Sequence, residues 1–487
     1  MLSIRSRTLT ALTLGYLALP VALFLSCWLK PWFGIPSTGL LLAALWWHLR
    51  REDDAEVVDL GHWAGMLGLL AALALWVFLS GLGGYYYQSN DHHWRNAIFH
   101  DLIDFAWPVR YGQTGSALVY YMAYWLPAAL VGKAFGWAAA NAALYLWSLL
   151  GVALCALLLW RELKARTFAQ RALIVAVLGL FSGMDVLGQL LRLYYTGKAS
   201  WLHLEWWSGY YQYSSNTTQL FWVYNQTIAP WLATVLLLRQ RRAGGIALLC
   251  GLTLPFAPMP LVGMLPLALA QVLRALRDGN RKTVGAWFRG LLHVETAAAL
   301  ALGLVFALYF SSNASAGGGR SLWFLANQDP LWPAVDMYCV FLLLEVAVPL
   351  LALLGDNRRE PLYWAVLATL LLCPLIAVGK ASDFCMRASI PALMALMVLC
   401  LRLLLQPAAG RPRRGIRPAV AALAVFLVLG AATPLTEVRR GLLYVHRAGR
   451  LNLTADSIRT LRDKGADYSN FLTFHPEEQP FYRFLGR

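Results

Sequence analysis

The chain has 487 residues, of which 59% are apolar and only 14% are charged, against about 25% charged in an ordinary soluble domain. That composition excludes a secreted or cytosolic protein, and the 21 Trp, 21 Tyr and 21 Phe exclude a disordered or collagen-like chain. The net charge of +16 comes mainly from short basic segments, so it indicates membrane orientation and not nucleic-acid binding.

The apolar runs predict an all-α polytopic membrane protein with about 11–13 transmembrane helices. A span needs about 20 apolar residues to cross the hydrocarbon of a bilayer. Such runs lie near 8–28, 33–50, 60–82, 137–160, 172–193, 219–238, 290–311, 333–354, 361–379, 387–406 and 417–436. Between 245 and 276, Pro255, Pro258 and Pro260 break a further run into two shorter helices.

The basic residues predict an orientation. Of the 41 Lys and Arg, 22 fall in short segments that can share one side of a membrane, from Arg5 and Arg7 to the cluster at 411–417. This positive-inside pattern predicts a cytoplasmic N-terminus and an extracytoplasmic C-terminus. Arg-rich, Ala/Leu-rich spans without a retention signal suggest a bacterial inner membrane, with the outer segments in the periplasm.

Residues 114–133 are apolar enough to cross, but a crossing there would move the basic loop 161–171 to the wrong side. We therefore expect this segment to form an amphipathic or re-entrant helix at the outer surface, where its Tyr, Trp and Pro residues suit the interface.

The predicted organisation is a transmembrane domain over 1–436, including an N-terminal hairpin over 1–59, and an extracytoplasmic tail over 437–487. Fifty residues are too few for a strong core of their own, so the tail is expected to pack over the outer face. Within it, Thr454 to Asp463 predicts a short helix that stops at Gly465.

The first outer loop concentrates candidate catalytic residues. In a helix, Asp91 and Arg95 would share a face at i,i+4, and so would His100 and Asp104. The loop is either a base, phosphate-contact or metal constellation, or a solvated cap over the helices. Its candidate residues are Asp91, His92, His93, Arg95, His100, Asp101 and Asp104.

The segment 193–218 interleaves aromatic rings with single polar groups. This pattern is typical of a sugar or isoprenoid contact, and equally of an aromatic belt at the headgroups. Its polar candidates are His203, Glu205, Gln212 and Asn216, and Asn225 follows as an amide that should face the protein interior.

The segment 379–387 places Lys380, Asp383 and Arg387 directly before a span. Two cations at a helix entrance suit a phosphate or pyrophosphate, although an ion network that only reaches the interface has the same pattern. Arg320, after three glycines, is a further cation that could close over an anion.

Charged groups inside the predicted spans are costly in lipid and need partners. They are Asp185, Glu295, Asp336 and Glu345. They are either paired structural carboxylates or parts of a proton relay.

The layout resembles the GT-C superfamily of integral-membrane glycosyltransferases. The acidic outer loop is Ser89-Asn90-Asp91-His92, the outer-surface helix would be the stretch from Ala117 to Gly136, and a span with a basic inner loop follows at 137–166. The resemblance covers roughly 60–405, and the proline-broken pair is similar to the short helices of that family. The family's Pro-Pro pair at the interfacial helix and a W-W-D signature are absent, which leaves subfamily and acceptor open.

This resemblance implies a sugar donor on a polyprenyl phosphate and a glycan or glycolipid acceptor at the outer face of the membrane. Asp91 would be the catalytic base, and Lys380, Arg387, Arg320 and Arg95 would bind the donor phosphate. The other polar candidates of the three outer segments, with Asp383 and Asn225, would bind substrate. A requirement for a divalent metal is left open.

Two other functions fit the same sequence. A transporter or flippase for lipid-linked saccharides would concentrate polar residues near the bilayer midplane. A non-catalytic assembly protein of a cell-envelope glycan pathway would be insensitive to Asp91→Asn.

Overall fold

The computed structural model describes residues 2–52, 55–279, 281–315, 321–379, 382–405, 418–462 and 466–487. Within these ranges the chain is a bundle of α-helices with five short strands. This architecture confirms the predicted helical class of membrane protein.

The first half of the chain begins with a helical hairpin and continues through a segment of short helices and strands into long helices. Its elements are β1 (Leu2–Arg5), α1 (Ser6–Trp28), α2 (Pro31–Arg50), β2 (Val57–Gly61), α3 (Trp63–Leu79), α4 (His92–Asp104), β3 (Arg110–Tyr111), β4 (Ser116–Leu118), α5 (Leu126–Phe135), α6 (Trp137–Glu162), α7 (Phe168–Leu180), α8 (Asp185–Thr196), α9 (Asn216–Val223) and α10 (Ile228–Arg239).

The second half is helical up to a short terminal strand. Its elements are α11 (Ala243–Thr253), α12 (Pro258–Arg277), α13 (Arg281–Arg289), α14 (Val294–Ser311), α15 (Trp332–Leu342), α16 (Val348–Asn357), α17 (Pro361–Leu372), α18 (Asp383–Ala388), α19 (Ile390–Leu405), α20 (Pro418–Gly430), α21 (Ala432–Ala448) and β5 (Leu472–Phe474). A π-helical segment, Leu343–Ala347, joins α15 to α16.

Seven helical stretches in the described ranges are long and apolar enough to cross a membrane, and five shorter apolar helices accompany them. The seven are Ser6–Trp28, Trp137–Glu162, Phe168–Thr196, Pro258–Arg277, Val294–Ser311, Trp332–Asn357 and Pro418–Ala448. The chain is therefore a multi-pass membrane protein by helix length and composition, while the number of crossings and their direction stay predictions.

Local sequence signals explain several helix boundaries. Pro258 and Pro361 stand at the first position of their helices, where the missing N–H is not needed. Thr167 and Gln170 form a capping box at the start of α7, and Ser215 caps α9 through the Thr218 N–H. The predicted break at the prolines is correct, because α11 ends at Thr253 and α12 begins at Pro258.

The expectation of one surface helix over 114–133 was wrong in its first half. Residues Ser116–Leu118 form the central strand of a three-stranded antiparallel sheet, between Arg110–Tyr111 and Leu472–Phe474. A strand forms here instead of a helix because the tail supplies a hydrogen-bonding partner, which the local sequence does not reveal. Only the second half is helical, as α5.

The tail also differs from its prediction. The helix that was expected to stop at 436 continues as α21 to Ala448, where Gly449 takes a left-handed conformation. Residues 454–462 are not helical, because Ala455 N–H donates to Gln88 Oε1 and Leu461 N–H donates to Asp101 Oδ2. The expected stop at Gly465 lies outside the described residues.

The bundle has two ends with different chemistry. Helix α6, about 39 Å long at 1.5 Å per residue, stacks Trp137 on His100 at one end and pairs Glu162 with Arg402 at the other. We call these the Asp91 end and the Arg242 end. The tail packs on the Asp91 end, where Lys30 Nζ donates to the carbonyl of Arg483.

The basic loops that the sequence assigned to one side meet at the Arg242 end. Their ion pairs are Arg171–Asp59, Arg239–Glu56, Arg242–Glu52, Arg274–Glu360 and Arg402–Glu162. The basic cluster at 411–417 lies outside the described residues. The outer segments meet at the Asp91 end, which holds the candidate functional site.

Candidate functional site

Asp91 stands at the N-terminus of α4 but does not cap it. Its carboxylate instead accepts a hydrogen bond from Arg95, with 3.2 Å between Oδ2 and Nη2, as the i,i+4 spacing predicts. The two side chains differ in solvent exposure: 41% of the Asp91 side chain is exposed, but only 7% of the Arg95 side chain. The carboxylate therefore faces solvent while its cation is held in the protein.

The turn between α9 and α10 holds the side chain of Arg95 in place. Its Nε donates to Asn225 Oδ1 at 3.3 Å, and its guanidinium carbon lies 5.9 Å from the centre of the Tyr224 ring. Asn225 lies in the 3-10 turn between α9 and α10. This confirms that Asn225 faces the protein interior, and it makes the amide a support for Arg95.

Amide groups at this break lack partners. Among the described residues, no donor or acceptor meets the Nδ2 of Asn225 or the amide nitrogen and oxygen of Gln226. Buried polar groups are normally hydrogen-bonded, so unsatisfied ones need an explanation such as a water or a ligand.

Arg387 brings a second cation to the same place. It lies on the short helix α18, where its Nη1 is 3.1 Å from Asp383 Oδ2, and 11% of its side chain is exposed. Burial alone would lower the pKa of Arg387, but Tyr121, Asp383, Tyr120 and Asp91 outweigh it and raise the pKa above its ordinary value. Asp91 thus acts electrostatically on Arg387 although the two residues are 296 positions apart by number.

Tyr120 and Tyr121 complete this group. Their rings are 3.7 Å apart between centroids, and burial followed by the charge of Tyr121 raises the pKa of Tyr120, while Arg387 and Arg95 act to lower it. We call Asp91, Arg95, Tyr120, Tyr121, Asn225, Asp383 and Arg387 the Asp91 cluster. The Nε of Arg387 has no hydrogen-bond partner among the described residues, so the cluster has an unused cationic donor.

His92 lies beside the cluster as a neutral ring. Burial, followed by the charge of Arg95, lowers the pKa of His92 to about 3. Its Nδ1 is 3.1 Å from Ser89 Oγ, and its Nε2 meets no partner among the described residues. A neutral imidazole can bind a substrate hydroxyl, but it adds no positive charge for a phosphate.

Three other residues of the first outer loop have structural partners. Asp101 accepts from Tyr111 Oη at 2.6 Å and from Thr460 and Leu461 of the tail. His93 Nδ1 lies 2.7 Å from Ser457 Oγ, and His100 stacks on Trp137. These contacts attach the tail and α6 to α4. The three side chains therefore have a structural role that requires no substrate.

His100 and Asp104, which share a face of α4, belong to no group of three or more close metal-ligand side chains in the described part of the chain. Asp104 is exposed. The group that the described residues do form is His475, Glu477 and Glu478, all exposed on the tail, and exposed acidic groups of this kind are common without a metal.

A second group of polar residues lies behind the aromatic segment 201–214. His203 Nδ1 is 2.6 Å from Glu437 Oε1, and Arg440 donates to both oxygens of the same carboxylate. Burial would lower the pKa of His203, but its bond to Glu437 raises it. Glu437 and Arg440 were missed because the predicted span ends at 436.

Glu205 belongs to this second group and is also buried. Gln212 Nε2 donates to its Oε2 at 2.8 Å, and Ser215 N–H donates to its Oε1 at 2.9 Å. Burial raises the pKa of Glu205 to about 7. Asn216, another candidate substrate-binding residue, lies at the start of α9 and donates from its Nδ2 to the carbonyl of Leu178 on α7.

Asp185 and Glu345 form a carboxyl pair within the helices. Asp185 Oδ2 accepts from Ser182 Oγ at 3.1 Å and Thr433 Oγ1 at 2.8 Å, and Glu345 Oε1 accepts from Trp207 Nε1 at 3.1 Å. The two carboxyl groups lie close enough to act on each other electrostatically. The Oε2 of Glu345 is buried and has no hydrogen-bond partner among the described residues.

This pair lies where three helices are interrupted. Asp185 follows the break between α7 and α8, Glu345 lies in the π-helical segment, and Thr433 follows the bend between α20 and α21. We call the pair, with His203, Glu205, Glu437 and Arg440, the Asp185 cluster. Its four carboxylate residues are at most 2% exposed.

The remaining carboxylates predicted within spans differ from one another. Glu295 is paired, with its Oε1 2.7 Å from His48 Nδ1, while Asp336 is exposed. The predicted phosphate ligands Lys380 and Arg320 lie outside the described residues. Of the four predicted cations, the described residues therefore bring together Arg95 and Arg387.

No protein-family model, curated protein or solved structure matches this chain. The functional assignment therefore rests on the geometry of the Asp91 and Asp185 clusters.

Proposed function

We propose that this protein is a membrane glycosyltransferase that moves a sugar from a polyprenyl-phosphate-linked donor to a glycan or lipid acceptor. The reaction takes place at the Asp91 end, on the extracytoplasmic face of a bacterial inner membrane. The observation that supports it is an exposed carboxylate, Asp91, held beside two largely buried guanidinium groups, Arg95 and Arg387.

The two cations suit the phosphate of the donor. A guanidinium presents several N–H groups that match phosphate oxygens, and partial burial strengthens the attraction because water screens it less. The Nε of Arg387, which meets no partner among the described residues, is one donor ready for this contact. The phenol groups of Tyr120 and Tyr121 lie beside it and can donate to the same oxygens.

Donor binding would also change the ion pair of Asp91. A phosphate that takes the N–H groups of Arg95 competes with the Asp91 carboxylate, which then faces the acceptor. Asp91 accepts the proton of the acceptor hydroxyl while the hydroxyl oxygen forms a bond to the anomeric carbon of the donor sugar. The bond from that carbon to the phosphate oxygen breaks, and the leaving phosphate keeps the electron pair beside Arg95 and Arg387.

Substitution of the base tests this proposal in the whole protein. In liposomes supplied with a radiolabelled polyprenyl-phosphate sugar, we expect Asp91→Asn to lower transfer by about 100- to 10,000-fold. Glu478→Gln, which removes an exposed carboxylate of the tail, is the control and should transfer normally. Normal transfer by Asp91→Asn, with unchanged folded yield, would overturn the role of Asp91 and favour an assembly protein.

The Asp185 cluster favours a second function, transport of a lipid-linked saccharide coupled to protons. Carboxyl groups inside a membrane protein frequently mark proton pathways, and transporters place them at interrupted helices. The liposome assay separates the two functions. Under transport, Asp185→Asn abolishes movement of the lipid-linked saccharide between leaflets and Asp91→Asn does not; under transfer, the saccharide acquires a new glycosidic bond that depends on Asp91.

A further inference from the structure

A cavity of about 470 Å³ opens at the Arg242 end, far from both clusters. It lies between the end of α2, the loop from α10 to α11, the end of α12 and the start of α14, with α13 over it. Three arginines contribute to its wall, namely Arg51, Arg241 and Arg242.

The arginines in this wall are crowded and incompletely paired. Burial lowers the pKa of Arg241, and the nearby charge of Arg274 lowers it further. The Nη1 atom of Arg242 is buried without a hydrogen-bond partner among the described residues. Like charges held together in this way favour a bound anion, which relieves their repulsion.

A helix terminus adds to the positive potential. Helix α11, 11 residues long, begins at Ala243, and no side chain caps it. Ala243 and Gly244 line the cavity, so the first turn of this helix lies at the same wall as the arginines. Phosphate groups bind readily at such termini.

The carboxylates near the cavity already have cationic partners. Glu295 Oε1 is 2.7 Å from His48 Nδ1, and Asp278 Oδ1 is 3.0 Å from Arg277 Nε. Glu52 lies 3.6 Å from Arg242 and 3.5 Å from His48. Among the described residues, Arg51 and Arg241 have no carboxylate partner within 4 Å, so the wall of the cavity keeps positive charge.

Helix α13, which covers the cavity, and the residues after it indicate what kind of molecule carries the anion. Trp287 on α13 donates its Nε1 hydrogen to the carbonyl of Arg241 at 2.9 Å, which fixes this helix to the basic loop. Next to it, Phe288 is 54% exposed, Leu291 39% and Leu292 90%. Exposed apolar side chains beside a basic cavity suit acyl chains below a phosphate headgroup.

We propose that this cavity binds the phosphate of an anionic membrane lipid, with Arg51, Arg241 and Arg242 as its ligands and the N-terminus of α11 behind them. The site is separate from the Asp91 cluster and does not depend on the proposed sugar transfer. The bound lipid holds α13 against the loop between α10 and α11.

Thermal unfolding of the full-length protein in detergent tests this site. Short-chain phosphatidylglycerol should raise the unfolding temperature, while phosphatidylcholine, inorganic phosphate and glycerol phosphate at the same ionic strength should not. In Arg241→Gln/Arg242→Gln, the affinity for phosphatidylglycerol should fall about thirtyfold, about fivefold for each lost arginine. The matched control Arg358→Gln/Arg359→Gln removes two exposed arginines at the same end, outside the cavity, and should keep the wild-type response.

Each result decides the proposal. Equal loss in the control pair would show that net charge alone attracts the lipid, and an unchanged response in the cavity variant would remove the site. If inorganic phosphate stabilises as well as the lipid, the occupant is a soluble anion and the lipid assignment fails. If the double variant is not monodisperse, Arg51→Gln replaces it, since the guanidinium carbon of Arg51 lies 4.6 Å from the ring centre of Trp47, a neighbour at the same helix end.

Discussion

The Asp91 cluster and the Asp185 cluster contain the same kinds of side chain but differ in their access to solvent. Asp91 is 41% and Asp383 32% exposed, whereas Asp185, Glu205, Glu345 and Glu437 are at most 2% exposed. In the first cluster the cations are buried and the carboxylates open outward. In the second, protein hydroxyl, indole and guanidinium groups surround the carboxylates.

This difference suggests separate tasks. An open carboxylate beside buried cations can receive a hydroxyl and a phosphate from outside, so substitutions there should change activity more than stability. Buried carboxylates at helix breaks fasten those breaks together, and their loss leaves unpaired polar groups in the interior. Three experiments test whether the two regions differ in this way.

The largest expected effect on stability is at Gly183, beside the carboxyl pair. A Cβ there would lie 1.8 Å from Glu345 Oε2 and 2.5 Å from its Cδ. We expect Gly183→Ala to lower the free energy of unfolding by about 3 kcal/mol, because a packed interior tolerates little added volume. Thermal unfolding in detergent measures this, with Gly303→Ala as the control, since a Cβ at Gly303 meets no atom within 4 Å. Equal unfolding temperatures for the two variants would mean that the helix break is not tightly packed.

The pH dependence of stability tests the buried position of Glu205. Its pKa is raised to about 7 by burial, against about 4.5 unfolded, so between these values the folded protein holds a proton that the unfolded chain has lost. This contribution is fully present below about pH 4.5 and disappears as the pH rises towards 7, a change of up to about 3 kcal/mol. Unfolding from pH 4.5 to 7.5 should show this decline in the wild type and a flatter curve in Glu205→Gln. Parallel curves would show that Glu205 is not protonated in the fold.

The smallest expected effect concerns the tail that covers the first outer loop. Asp101→Asn disturbs the bonds from Tyr111, Thr460 and Leu461, and should cost about 1 to 2 kcal/mol. Hydrogen exchange should increase over residues 455–462 and stay unchanged in α10. Asp104→Asn is the control on the same helix. Unchanged exchange in the Asp101 variant would mean that the tail is held by its apolar contacts alone.

The sequence predicts the helical bundle well because membrane spans leave long apolar runs, and prolines mark the break before α12. It predicts the pairs Asp91–Arg95 and Asp383–Arg387 because residues four apart share a helix face. It does not predict the break at Asp185, which no proline marks, although Pro349 removes the N–H that would bond the carbonyl of Glu345 and so marks the second interruption. Nor does it predict that Asp185 and Glu345, 160 positions apart by number, meet. Pairings between distant segments leave no local pattern.

Tyr120 and Tyr121 show the same limit inside the site. Their segment is apolar and aromatic, which favoured an interfacial helix, but strand pairing with Leu472–Phe474 holds the chain extended just before them. The hydrophobic pattern could not reveal a strand whose partner lies more than 350 positions away by number. The tyrosines thereby reach Arg387.

An electron cryomicroscopy structure of the protein in lipid nanodiscs with polyprenyl phosphate would show whether the Asp91 cluster binds the donor. We expect density for the phosphate within hydrogen-bond distance of both Arg95 and Arg387, with the Asp91 carboxylate facing the same space. Phosphate density away from these two arginines, or a structure in which Asp91 and Arg387 face different spaces, would refute the proposed role of the cluster.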